Sequence, residues 1–288
     1  MTSANTDRIH VTEEDIRFYE EHGWWVSPPI LTPDELEEAW FGAERYYSGD
    51  RDEVLLLEAG TDWHPGLGDV LRQNDYVSLQ VDELRRLVHH RVIARTAAAL
   101  ARSTEVRLYH DQLIYKPPQV APSAATVGWH TDIAYWKTCS SRNLITAWIP
   151  FQTVTAEMGP MTVLDRSHRW TGNDQLEFFH EPDLRQIEER IDRNGETVRE
   201  VPLLLEAGQV SFHHCRTIHG SKPNTADVPR VALAVHMQDD TNRYAPNVDE
   251  QGRRLSHLND FLCRKGPDGN PDYFDPVVCP VLWSAEDR

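Results

Sequence analysis

The 288 residues carry 29 Lys and Arg against 46 Asp and Glu, a net charge of −17, which argues against nucleic acid and anionic membranes as partners. Cys139, Cys215, Cys263 and Cys279 show no CxxC spacing, so neither a zinc ribbon nor a disulfide framework is suggested. The first residues lack the basic and apolar parts of a signal peptide and no apolar run could span a bilayer, so a cytoplasmic protein is expected.

The first hundred residues read as helical. Thr12-Glu13-Glu14-Asp15 opens a short helix that runs through Phe18 and Tyr19 to Gly23. Thr32-Pro33-Asp34-Glu35 is a second start signal, with an N-cap, Pro in the first turn and Glu three residues after the cap. From Asp82 to Arg102, Leu84, Leu87, Val88, Ile93, Ala97 and Leu100 recur at helical intervals. Before that run, the stretches around Asp62-Trp63-His64-Pro65-Gly66 and Asn74-Asp75 read as irregular.

The texture then changes. Val106 to Tyr115 is β-prone and stops at Pro117-Pro118. Leu144 to Phe151, Met161 to Leu164, Val198 to Leu205, Gln209 to His214 and Arg230 to Met237 are further strands. The charged run from Leu176 to Arg193 is expected as an inserted helix, a lid or flank. After Asp239 the chain is rich in Asp, Asn, Gly and Pro and reads as an ordered tail. The expectation is a single domain over 1–288, mainly β with flanking helices. It comprises a helical flank (1–105), a jelly-roll core (106–240) and a loop-rich C-terminal extension (241–288).

Candidate chemistry lies in Gly128-Trp129-His130-Thr131-Asp132 and Thr217-Ile218-His219-Gly220-Ser221. Two histidines and a carboxylate fill three adjacent positions of an octahedral metal and leave three open, the facial triad of non-haem Fe(II) oxygenases. One His-x-Asp triplet alone is weak, since about one is expected by chance in a chain this rich in both residues. On a strand, however, residues 130 and 132 would emerge on one face and could grip one ion. Arg230 opens the apolar strand Val231-Ala232-Leu233-Ala234-Val235, where a desolvated guanidinium needs an anion, either an Asp or Glu of the protein or a keto-acid co-substrate. Of His213 and His214, alternation can turn only one inward.

Taken together, these residues resemble the phytanoyl-CoA dioxygenase-like family of Fe(II)/2-oxoglutarate-dependent oxygenases. The resemblance spans most of the chain: Gln112-Leu113-Ile114-Tyr115-Lys116-Pro117-Pro118, the His130 and His219 motifs, Thr146-Ala147-Trp148-Ile149-Pro150-Phe151, Glu157-Met158-Gly159-Pro160-Met161 and Ser167-His168. It implies a double-stranded β-helix (cupin-like jelly roll) with iron held by His130, Asp132 and His219. It further implies 2-oxoglutarate bound by Arg230 and Ser221 beside Trp148, with Gln112 and Lys116 nearby. Asp165-Arg166 stand where the family usually has Pro-Gly, which leaves the local turn open.

The activity so implied is a dioxygenase that consumes O2 and 2-oxoglutarate, hydroxylates a small metabolite or natural-product intermediate, and releases succinate and CO2. The carboxylate of Asp132 disfavours halogenation. Asp111, Tyr115, Tyr135 and Trp136 are candidate substrate walls. The alternatives are desaturation, cyclisation or epimerisation at the same iron, and a non-catalytic metal-binding jelly roll, which the Arg230 clamp argues against. Substrate identity and oligomeric state are not legible in the sequence.

Overall fold

The computed structural model describes residues 10–55, 63, 65–118, 126–176 and 192–287. The helix expected between Leu176 and Arg193 falls almost wholly outside the described residues, as does most of the stretch around Asp62 to His64.

Two helices start and stop where their caps require. In α1 (Glu13–His22) and α2 (Pro33–Ser48), Thr12 with Asp15 and Thr32 with Glu35 form reciprocal capping boxes that satisfy orphan N–H groups. Each helix ends on a left-handed glycine, Gly23 or Gly49.

The run from Asp82 to Arg102 is two helices rather than one, α3 (Asp82–Val88) and α4 (Arg91–Leu100). His90 is extended and its Nδ1 accepts from the Ile93 N–H at 3.4 Å, so a side-chain cap replaces helix continuation. The break turns Val92, Ile93, Ala97 and Leu100 of α4 into the core.

The strands make two antiparallel sheets. The larger runs in the order β1 (Trp24–Val26), β8 (Ser211–His214), β5 (Ile145–Pro150), β10 (Arg230–Asp239), β3 (Glu105–Lys116), β11 (Val281–Ser284), and β2 (Arg72–Asp75) also pairs with β3. The smaller runs β4 (Val127–His130), β9 (His219–Ser221), β6 (Met161–Leu164), β7 (Glu200–Pro202). This is the jelly roll, with helices covering one face of the large sheet.

Three sheet members lie outside the expected core segment. Trp24–Val26 and Arg72–Asp75 come from the helical flank, and Asn74-Asp75 is thus strand, not irregular chain. Val281–Ser284 comes from the tail, which also holds a short helix, α5 (Asn259–Leu262).

Strand alternation divides the large sheet into a dry face and a cavity face. Val231, Leu233 and Val235 of β10, with Ala147 and Ile149 of β5, pack under the helices against Leu84, Ile93 and Ala97. The residues between them, Arg230, Ala234 and His236 on β10 and Thr146 and Trp148 on β5, face the small sheet across a cavity. On β3 the parity flips partway. His236 pairs with His110 but Met237 with Leu108, so Tyr109 is an extra residue, and after this bulge His110, Gln112 and Ile114 point inward. No helix among the described residues is long and apolar enough to cross a membrane.

Candidate active site

The pairing of β4 with β9 sets His130 directly opposite His219. Gly220 permits that approach: a Cβ there would lie 2.9 Å from the Val127 carbonyl oxygen and 3.2 Å from Gly128. The glycine therefore serves close contact between the strands. Asp132 does not continue the strand. β4 ends at His130, and Asp132 opens a single 3-10 turn (Asp132–Ala134) that brings its Oδ1 to 3.5 Å from His219 Nε2.

One potential ligand atom from each of His130, Asp132 and His219 lies within 4.8 Å of the others, and all three residues are buried. Each imidazole is oriented by its own chain. His130 Nδ1 donates to the Gly128 carbonyl and His219 Nδ1 to the Thr217 carbonyl, both at 2.9 Å. A carbonyl can only accept, so the proton is on Nδ1 and the Nε2 lone pair is left for a metal.

Burial pushes the His219 imidazole well below its ordinary value and lowers that of His130. Burial opposes the charge on Asp132, yet the His219 and His213 rings outweigh it and hold the carboxyl well below the usual range. Two neutral imidazoles and one carboxylate, with no thiolate beside them, suit Fe(II).

A polar row crosses the large sheet behind the carboxylate: His213 on β8, Thr146 on β5, His236 on β10 and His110 on β3 are successive register partners. Thr146 Oγ1 donates to Asp132 Oδ2 at 2.6 Å and accepts from His236 Nδ1 at 2.8 Å, while His213 Nε2 lies 3.2 Å from the same Oδ2. Alternation thus turns His213 inward and sends His214 to the outer side, where its ring lies 5.5 Å from His168.

One end of the cavity is cationic. Arg230 is 2% exposed, its Nε has no hydrogen-bond partner among the described residues, and its guanidinium lies 5.2 Å from the Trp148 ring. Its Nη1 donates to the Gly159 carbonyl. Burial lowers it to about 10. Lys116 pairs in register with Arg230, and burial with the Arg230 charge lowers its ammonium to about 5. Its Nζ bonds Ser221 Oγ at 2.6 Å, so Lys116 sits behind Ser221 and outside the cavity lining. Neither Arg230 nor Lys116 has a carboxylate partner among the described residues. A buried guanidinium with a free N–H fits a small carboxylate such as the distal end of 2-oxoglutarate.

The other end holds residues that sequence reading missed. Asp75 Oδ1 accepts from His110 Nε2 at 3.0 Å and from Gln112 Nε2 at 2.8 Å. His257 of the tail lies over Tyr109 at 5.0 Å and edge-on to His110 at 5.4 Å.

Tyr135, Trp136, Trp148 and Ser221 line the cavity as expected; Gln112 lines it too, but at the Asp75 end rather than beside Arg230, whereas Asp111 and Tyr115 do not line it. Their expectation is corrected by the pleat: with Gln112 inward, both neighbours of odd number turn outward. Asp111 binds Ser78, and Tyr115 packs on Arg72 at 3.9 Å. The same parity would have picked out His110.

The departure at Asp165-Arg166 also has a physical account. Arg166 takes the left-handed conformation, φ 63°, that glycine adopts freely. Its N–H donates to the His22 carbonyl at 3.0 Å, and Asp165 accepts from His22 Nδ1 and Trp24 Nε1 at 2.7 and 2.9 Å.

Comparison with known proteins places this geometry. The sequence profile of the phytanoyl-CoA dioxygenases matches residues 19–232. The mouse protein "Phytanoyl-CoA dioxygenase, peroxisomal" is 24% identical over 239 residues, 80% of this chain and 69% of that one. A "Probable alpha-ketoglutarate-dependent hypophosphite dioxygenase" of Stutzerimonas stutzeri is 29% identical over 135 residues, 45% of this chain and 44% of that one.

Among solved structures, the non-heme alpha ketoglutarate dependent epimerase from nogalamycin biosynthesis superposes with a TM-score of 0.66 at 25% identity, covering 94% of this chain and 98% of that one. EctD from S. alaskensis, solved with 2-oxoglutarate and 5-hydroxyectoine, gives 0.69 at 20% identity over 92% and 86%, a likeness of fold.

Proposed function

This chain belongs to the phytanoyl-CoA dioxygenase family of Fe(II)/2-oxoglutarate-dependent oxygenases, and from that premise we propose that it hydroxylates a small molecule at the cavity between its sheets. In this reading His130, Asp132 and His219 hold the iron, while Arg230 and Ser221 hold the distal carboxylate of 2-oxoglutarate against Trp148. The observation that carries it is the conjunction of the buried His-Asp-His cluster with a buried Arg230 that meets no carboxylate among the described residues, in one cavity of about 450 Å³.

Iron and 2-oxoglutarate, when bound, supply the oxidising chemistry, with O2 consumed and succinate and CO2 released. The chain's own residues orient and insulate. The Gly128 and Thr217 carbonyls fix both imidazole tautomers, and Thr146 with His213 keeps Asp132 ionised and aimed. Lys116, lowered to about 5, holds Ser221 in place without adding a second charge beside Arg230. Trp136 and Tyr135 wall the space where a C–H bond would lie.

The test is an anaerobic titration of the Fe(II)-loaded protein with 2-oxoglutarate, read at the visible charge-transfer band, followed by O2 and succinate assay. A product carrying one oxygen atom derived from O2 supports hydroxylation. Unchanged product mass points instead to epimerisation, and loss of two hydrogens to desaturation or cyclisation. No absorption band, with no 2-oxoglutarate-dependent succinate, sinks the oxygenase reading.

A further inference from the structure

Resting on that reading, we propose that Asp75 anchors the substrate, and that the substrate is an uncharged ring compound presenting a hydroxyl group, not a phosphate ester or an acyl-CoA. Asp75 lines the cavity at the end away from Arg230. Oδ1 is engaged by His110 and Gln112, while the second carboxylate oxygen has no partner among the described residues. That oxygen can only accept, so it asks for a donor from the ligand.

Charge narrows the class. Arg230 is the only Lys or Arg among the described residues that line the cavity, and it is assigned to the co-substrate. With Fe(II), the Asp132 carboxylate, the 2-oxoglutarate dianion and Arg230 in place, the charges of the centre cancel. An anionic substrate would then meet the Asp75 carboxylate with no further Lys or Arg among the described lining residues to receive it.

A cation is no better served. Burial opposes a proton on the His110 ring, but the Asp75 carboxylate outweighs it and raises the ring above its ordinary value, so the carboxylate is already shared. A hydroxyl needs only one acceptor. Tyr135, Trp136, Ile114 and Leu258 supply apolar wall for the body of the ring.

The anchor is held under strain. Tyr76, the next residue, is a buried aromatic in the left-handed region at φ 55° and ψ 37°, where bulky side chains are outliers. Its hydroxyl donates to Asn259 Oδ1 at 2.6 Å, and Asn259 Nδ2 donates to the Tyr109 carbonyl at 2.5 Å. These bonds fasten β2 to the tail, whose Ser256, His257 and Leu258 close the same end of the cavity. Strain kept at one residue beside a cavity carboxylate fits a placed recognition group.

The test uses the full chain loaded with Fe(II) and 2-oxoglutarate. Its absorption band and slow substrate-free succinate release report the oxygenase reading alone, so failure there is separate from failure of the anchor. Four probe sets are then added: cyclohexanediol and methyl glucoside; glucose phosphate; aminocyclohexanol; and octanoyl-CoA. The neutral set is expected to perturb the band or stimulate succinate release, and the other three are not. Asp75→Asn should weaken the neutral probes about tenfold, as expected for one lost charge-assisted hydrogen bond, and leave the band itself unchanged. The proposal is overturned by silence from the neutral set, by preference for any charged set, or by Asp75→Asn binding as tightly as the unaltered protein.

Discussion

At one end of the cavity Arg230 and Lys116 are buried with no carboxylate among the described residues, whereas at the other Asp75 arrives with His110 and Gln112 already bonded to it. The first end is drawn from β3, β9 and β10 of the jelly roll. The second borrows β2 from the helical flank and residues 256–258 from the tail. An electrostatically incomplete pocket suits a small anion that must be taken up afresh at each turnover. A pocket that has met most of its own demand exposes a single acceptor and discriminates by what can satisfy it. Between them lies the row through Thr146 and His236, which touches Asp132.

That contrast can be broken at the metal first. His130→Ala, Asp132→Ala and His219→Ala each remove one of three protein ligands, and each should abolish turnover and iron retention while the far-ultraviolet circular dichroism stays unchanged. Wild-type iron content in all three would make the cluster a bystander. Arg230→Leu acts on the incomplete end alone. Apparent 2-oxoglutarate affinity should fall roughly ten- to a hundredfold, as for loss of a charged hydrogen-bonding pair of about 1.5–3 kcal/mol, with iron binding preserved. Arg230→Lys should restore part of it, because an ammonium keeps charge without the planar fork.

Thr146→Val tests the link between the ends. It removes the donor to Asp132 Oδ2 and the acceptor for His236 at once. Iron affinity should fall about tenfold, as second-sphere losses at metal sites do, with 2-oxoglutarate affinity at saturating iron unchanged.

The smallest effect lies outside the cavity. Burial pushes His168 down to about 4, and burial with the neighbouring His168 ring pushes His214 to about 3. Unfolded, both rings bind protons near pH ~6.5. Below that value the unfolded chain takes up protons that the folded one refuses, so stability falls with pH by up to ~1.4 kcal/mol per unit for each ring, until the folded values are reached. The melting temperature should drop by several degrees between about pH 7 and about pH 5, and His168→Asn should flatten the slope. A variant with the original slope would remove His168 from the account.

Legibility in the sequence followed locality. The caps of α1 and α2 are written within four residues of chain and were readable as such. The long strands β3 and β10 were visible from their own apolar pattern. The break at His89-His90 was not, because His90 caps by a ring nitrogen that no periodicity reveals. Three-residue β1 and four-residue β2 carry too little pattern to stand out, and they are strands only because β8 and β3 offer them an edge. Asp111 and Tyr115 were misplaced because the bulge at Tyr109 flips the pleat, and only pairing with β10 exposes that extra residue.

What the sequence determined by itself is the chemistry on offer: His130, Asp132 and His219 as a donor set without thiolates, and Arg230 opening an apolar strand that could not leave its charge unanswered. Those follow from residue type and near neighbours. Which groups share the cavity was decided by tertiary structure, since Asp75, His110 and His257 are joined by strand pairing and a folded-back tail. The Asp132 carboxylate, too, reaches the histidines through a turn closed only when Ile133 N–H meets the Cys215 carbonyl, at 3.0 Å, from the far side of the chain. Hydrogen bonds of that kind depend on distance in space, which sequence spacing does not encode.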